Sequence, residues 1–238
     1  YRLPIIMQRA WRSDCLEFLE QPADKPGEKF NLMLPRSRCS HCGHQIGSLE
    51  NIPVLSFLVL RGKCAECKTP ISLQYPLVEL FTGLVSLVVA WHFGVSLQAA
   101  AALFFSWCLI AAAGIDIGHK LLPDSITLPL MWFGIGLALF NVFVDLESSV
   151  IGAIAGYLSL WSIFILFKLI TGKEGMGHGD FKLLAALGAW CGWKLLFIIV
   201  LTSSLVGAVV GISMIIAGKN ERSTQIPFGP YLAAAGWV

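Results

Sequence analysis

From Tyr75 onward the chain is built from apolar runs about as long as a bilayer is thick, and this feature constrains the fold more than any other. A crossing helix needs about 20 mostly apolar residues. The runs at 77–93, 98–115, 126–144 and 148–170 meet that length. The stretch 181–217 is interrupted by "CGWK" at 191–194, so it reads as a short helix of about 13 residues followed by a span near 195–217. A further apolar run opens at Pro230. The pattern predicts an all-α polytopic membrane protein.

Composition agrees. Only 13% of residues are charged and 56% are hydrophobic, against roughly 25% charged in soluble domains. The deficit is uneven, because residues 1–70 read as ordinary polar protein. We therefore divide the chain into a segment at 1–76 and a transmembrane helical domain at 77–238. A net charge of +2 gives no reason to expect a nucleic-acid partner. The chain starts at "YRLP", without an initiator Met or a signal-peptide pattern, and stops inside the apolar "YLAAAGWV". Both ends read as cut, with a first span ending at the N-terminus and a final span clipped. Between them, residues 10–35 open as a short amphipathic helix and continue as a Pro-rich connector.

Lys and Arg in short loops set orientation. Residues 1–76 hold ten of the 17, and the loops at 116–125, 168–182 and 218–226 carry Lys120, then Lys168, Lys173 and Lys182, then Lys219 and Arg222. The turns at 94–97 and 145–148 carry none, and only Lys194 breaks the alternation. The first segment and the loops bearing these bases are thus expected to face the cytoplasm, with the lipid bilayer as the chain's main partner.

Within that first segment, "CSHC" and "CAEC" place Cys39, Cys42, Cys64 and Cys67 in two CxxC pairs. Each pair lets two thiolates of one turn reach one face of a metal, and two pairs complete the tetrahedral shell that Zn²⁺ prefers. Disulfides do not persist in the cytoplasm, which leaves a redox pair or chance as the competing readings. His41 or His44 could replace one thiolate. A closed four-ligand shell is structural, and the segment reads as a small zinc-ribbon-like loop domain filled by the apolar "SLENIPVLSFLVLRGK".

Four acids lie in or beside spans: Glu79, Asp116, Asp124 and Asp180. Asp124 follows Pro123 and reads as an N-cap. Glu79, one turn into its span, reads as snorkelling or held by a helix N-terminus. Lys182 reads as an interfacial snorkeller. Asp116 differs, because a carboxylate at a helix C-terminus opposes the macrodipole. Asp180 opens the short helix inside "GMGHGDFKLLAAL", and the flanking glycines could admit a substrate backbone. His178, between two of them, reads as a loop residue. Two carboxylates brought close share a proton, so one can activate water while the other donates to a carbonyl. That points to metal-free peptide hydrolysis. A transporter with coupling carboxylates would place the acids near the midplane and show an inverted repeat, and neither is visible. A zinc-loop scaffold whose acids merely cap helices is the third reading.

"GMGHGDFKLLAALGAW" resembles the GxGD signature of the type IV prepilin peptidases. So, in order, do "YRLP", "CSHCGHQI", "ENIPVLSFLVLRGKCAECKTPISLQYPLVEL", "IDIGHKLLPDSITLPLMW", "GYLSLWSIFILFKLITGKEGMG" and "PFGPYLAAAGW". The resemblance implies a bifunctional enzyme of the bacterial inner membrane. It would cut the short basic leader from type IV prepilins or type II secretion pseudopilins on the cytoplasmic side. It would then methylate the new N-terminus, typically a phenylalanine, from S-adenosylmethionine. Asp116 and Asp180 take the places of the catalytic aspartates, and Cys39, Cys42, Cys64 and Cys67 those of the zinc ligands. No methyl-donor residues can be read from the sequence.

Overall fold

The computed structural model describes residues 2–20, 31, 36–39, 41–172, 176–217 and 227–238. Lys25, Lys29, Lys173, Lys219 and Arg222 of the orientation argument, Gly175 of the glycine run and nearly all of the expected connector lie outside them. Among the described residues the regular structure is helical, with two isolated antiparallel bridges, Arg38 with Gln45 and Lys63 with Pro70. The chain separates into two compact units, Tyr1–Leu84 and Val85–Val238.

The first unit holds α1 (Arg2–Phe18), the short α2 (Leu55–Val59) and the opening turns of α3 (Gln74–Phe93). The helix expected from residue 10 thus starts at Arg2. Glu79 on α3 accepts the backbone N–H of Val54 at 2.9 Å. Val54 is the residue before α2 and has φ 60°, a conformation that β-branched residues avoid. Glu79 therefore does hold a helix N-terminus, that of α2. "SLENIPVLSFLVLRGK" does not fill the loop as expected. Phe57 turns inward over Gly62, but Leu55, Leu58 and Val59 are 59%, 64% and 80% exposed.

The second unit contains α4 (Leu97–His119), α5 (Asp124–Ala138), α6 (Leu146–Thr171), α7 (His178–Cys191), α8 (Trp193–Ile216) and α9 (Gly229–Trp237). α3, α4, α6 and α8 are long and apolar enough to cross a membrane. Local signals set their ends. Ser96 and Asp145 accept the amides of Ala99 and Ser148 at the starts of α4 and α6. Lys120 and Gly172, both left-handed, close the same two helices. Two boundaries correct the sequence reading. α4 runs on through Asp116 to His119, and α5 stops at Ala138 rather than near 144. Phe140 and Asn141 donate to carbonyls three residues back, and Asn141 sits at φ 51°, a turn that Asn tolerates better than most side chains.

α7 is the core of this unit, with α5, α6, α8 and α9 packed around it. Every residue from Asp180 to Trp190 except Lys182 is buried, so α7 is apolar on all sides as an enclosed helix must be. Small residues on α6 let the two backbones meet. A methyl group at Gly152 would stand 2.2 Å from the Gly188 carbonyl oxygen, and one at Gly156 would stand 2.6 Å from that of Leu184. Ser149, one turn before, donates to the Ala189 carbonyl at 2.7 Å. This is the small-residue packing that membrane helices use in place of a hydrophobic drive. At the far end, the Trp190 indole passes over Gly134 to donate to the Leu130 carbonyl at 2.8 Å.

Candidate active site and metal centre

The cysteines occupy two turns related by a constant offset of 25 residues (64 − 39 and 67 − 42). In each turn the first cysteine donates its amide five residues ahead: Cys39 to His44 and Cys64 to Thr69. In each, the residue after the second cysteine is left-handed, Gly43 at φ 74° and Lys68 at φ 57°. Outer bonds pair Ile46 with Ser37 and Ile71 with Gly62 in the same register. All four sulfurs lie within 4.8 Å of one another. Cys39–Cys67 and Cys42–Cys64 are 3.8 and 4.0 Å apart. A tetrahedron with metal–sulfur bonds of about 2.3 Å has edges of about 3.8 Å, so the cluster can hold a metal ion. The four thiols are free of disulfides.

The surroundings favour thiolates at two positions. The Thr69 hydroxyl and amide draw Cys67 down to about 6, and the Cys42 and His41 amides lower Cys39. At Cys42 the His44 amide acts in the same sense, but burial and the sulfurs of Cys67, Cys39 and Cys64 outweigh it and push the thiol up to about 12. His44 does not replace a thiolate. Its ring lies 3.1 Å from Glu50 and 2.8 Å from Glu66, joining the two turns. The Glu50 contact leads in raising the His44 pKa, while the Gly47 amide and then His44 lower Glu50.

In the second unit Asp116 and Asp180 are 5% and 8% exposed. Asp116 lies in the last turns of α4, where its own helix dipole opposes it. Its carboxylate points instead at the start of another helix, and the Gly229 amide of α9 donates to Oδ2 at 3.0 Å. A methyl group at Gly229 would sit 2.7 Å from that oxygen, so glycine is what permits the approach. Asp180 occupies the first turn of α7. Burial first, and then the charge of Asp116, push its carboxyl up to about 7, against the opposing pull of the Gly177 amide. Asp116, 64 positions away in the chain (180 − 116), is thus near enough for its charge to act on Asp180.

The loop joining α4 to α5 reaches the neighbours of both acids. Leu122 fills the space beside Gly179, where a methyl group would come within 2.6 Å of its Cβ, and it also packs on Gly229. Gly179 therefore makes room for the protein's own loop rather than for a substrate. Among the described residues, a methyl group at Gly177 would meet only an Asp180 oxygen, at 3.9 Å. Asp124 is not an N-cap. Pro123 holds that position and no side chain caps the helix, while Lys182 reaches both Asp124 oxygens at 2.7 Å. Lys182 is paired rather than snorkelling. The exposed His178 ring packs edge-on to Phe164 and tilted on Phe181.

The chain matches the type IV leader peptidase family over residues 103–212 and the bacterial peptidase A24 N-terminal domain over residues 1–93. It is 59% identical to a prepilin leader peptidase/N-methyltransferase of Stutzerimonas stutzeri, over all 238 residues and 82% of that protein. The proteins of the same name from Pseudomonas aeruginosa and Aeromonas hydrophila are 52% and 53% identical, again over all of this chain and 82% of theirs. The chain belongs to the type IV leader peptidase family. No solved structure matches it. The leader-peptidase match spans both buried acids, and the N-terminal match spans all four cysteines. Sequence reasoning on this family member missed Gly229, Leu122 and the Lys182–Asp124 pair. Gly229 had a readable signal: "PFGP" places a proline in the first turn of a helix whose free amides suit an anion.

Proposed function

We propose that this chain is a leader peptidase/N-methyltransferase that uses Asp116 and Asp180 as an aspartate dyad on prepilins or pseudopilins. The observation that carries the reading is the pair itself: two buried carboxylates from separate helices, with the charge of Asp116 acting on Asp180. With one proton shared between them, one carboxylate takes a proton from water as its oxygen attacks the scissile carbonyl carbon. The other donates a hydrogen bond to the carbonyl oxygen, and the C–N bond then breaks as the leaving nitrogen is protonated. The Gly229 amide donates to Asp116, and the Leu122 side chain packs beside Gly179 and Gly229.

The curated relatives carry both activities in their names. On that basis this chain then methylates the newly exposed amino group, with S-adenosylmethionine supplying the methyl group. Zinc is the ion that suits Cys39, Cys42, Cys64 and Cys67, since four sulfurs at tetrahedral spacing leave no position for water. The protein resides in the inner membrane with the dyad and the cysteine turns toward the cytoplasm, a reading supported by the Lys and Arg distribution.

The test is cleavage of a purified prepilin by Asp116→Asn and Asp180→Asn, each folded and metal-loaded. Near wild-type cleavage by either variant overturns the dyad. For the metal, Cys39→Ser is expected to release zinc, and unchanged zinc content overturns the four-thiolate site.

A further inference from the structure

Leu55, Leu58 and Val59 remain without a role in either site. They lie at i, i+3 and i+4 on α2, so they share one face, and all three are exposed. Elsewhere in the first unit, Leu49 and Leu73 are 80% and 65% exposed. A small metal-stapled domain has no need of such a surface, and an exposed apolar patch marks an interaction.

Three observations say what covers it. The first is height. Glu79 holds the α2 N-terminus through Val54, and Glu79 lies five residues into α3 (79 − 74), about 7.5 Å at 1.5 Å per residue. α3 is a candidate span, so α2 is tied to the level where the span passes from headgroups to acyl chains. The second is the exposure of α3 itself, since Leu77, Leu80 and Leu84, close to Glu79 along that helix, are also exposed. The third is charge. Exposed Arg61 and Lys63 follow α2 directly, while Glu50 and Glu66 are both engaged by His44. A basic rim beside an apolar face suits anionic headgroups and repels a basic leader peptide.

We infer that α2 is an interfacial anchor, which sinks Leu55, Leu58 and Val59 into the headgroup–acyl boundary of an anionic bilayer and so holds the cysteine turns against the membrane. The inference rests on the proposed function only in setting aside the basic leader as occupant, and its test uses no substrate. A nitroxide-bearing unnatural amino acid is placed at Leu58, and separately at Val59, in the full chain reconstituted in nanodiscs of phosphatidylethanolamine and phosphatidylglycerol. Power saturation then compares access by oxygen and by a water-soluble nickel chelate. Both sites are expected to favour oxygen several-fold, as at Leu84, whereas Glu66 favours nickel. Nickel-dominated access at both sites, with zinc still bound, overturns the anchor. Equal oxygen preference in purely phosphatidylcholine discs overturns the assignment of anionic headgroups. Shielding that occurs only after prepilin is added gives the surface to the substrate and also overturns the proposal. Loss of cleavage in the aspartate variants bears on the dyad alone, so the two readings fail separately.

Discussion

The two units reach order by opposite routes. In the first, two short turns repeat one hydrogen-bond pattern at a fixed offset, so bonds within a few residues shape each cysteine pair, and the His44–Glu66 contact joins the two turns. Its apolar residues remain largely outside. In the second, the surroundings of each acid come from distant parts of the chain: the Gly229 amide at Asp116, 113 positions away, and the charge of Asp116 with the burial of α7 at Asp180. A cluster of metal ligands can thus be assembled by local chain geometry, but a pair of buried carboxylates needs a closed bundle to exclude water around it.

The difference can be broken most severely at the acids. Asp116→Asn or Asp180→Asn is expected to lower cleavage by about 10²–10⁴-fold, the range for a general acid or base, while metal content by atomic absorption stays constant. Next in size is Gly152→Val. Its side chain meets backbone atoms of Gly188 rather than a flexible side chain, so α6 and α7 must separate. Overpacking of this kind costs about 1–3 kcal/mol, visible as a lower unfolding temperature in detergent with the metal retained. The converse variant, Cys39→Ser, should lose the metal and expose the 36–71 amides to hydrogen exchange. The unfolding temperature of the bundle should change little.

pH sharpens the contrast further. The folded Asp180 carboxyl sits at about 7, above its ordinary value of 3.8. Between these values the folded state binds the proton and the unfolded state does not. Stability from this group is therefore greatest below about pH 4 and falls as pH rises to about 7, levelling off beyond. Asp180→Asn should flatten that slope in urea titrations at pH 5 and pH 8. Cleavage by the wild type should fall as pH rises past about 7, where the pair loses its last shared proton. The smallest effect is expected at Lys182→Met. Its partly exposed ion pair with Asp124 is of a kind that contributes roughly 0.2–1 kcal/mol. A few-fold loss of cleavage is expected, with Asp124→Asn adding little on top of it in a double-mutant cycle.

How far each region could be read in advance follows the same division. CxxC spacing is a local code, so the cysteine turns were legible by residue, whereas the outward turn of Leu58 and Val59 was not. Hydropathy alone cannot tell a residue that fills a loop from one that faces lipid. In the bundle, the apolar runs marked the helices, and the odd placement of Asp116 marked it as unusual. The same pattern misjudged α5, because the turn at Phe140–Asn141 depends on backbone conformation within an unbroken apolar run. It also gave the glycine beside Asp180 to a substrate, when the loop residue Leu122 occupies that space.

By itself, the sequence determined a helical membrane protein, four sulfurs in two matched turns, and two acids at the ends of apolar helices. Periodicity, spacing and the cost of charge in lipid act through neighbours in the chain or through the solvent, and both are readable from residue order. Only the tertiary structure decided that the Gly229 amide faces Asp116, that Lys182 belongs to Asp124, and that Gly152 and Gly156 admit α7 to the centre. Those outcomes depend on which backbones approach within van der Waals distance, and close packing of distant segments has no signature in the order of residues along the chain.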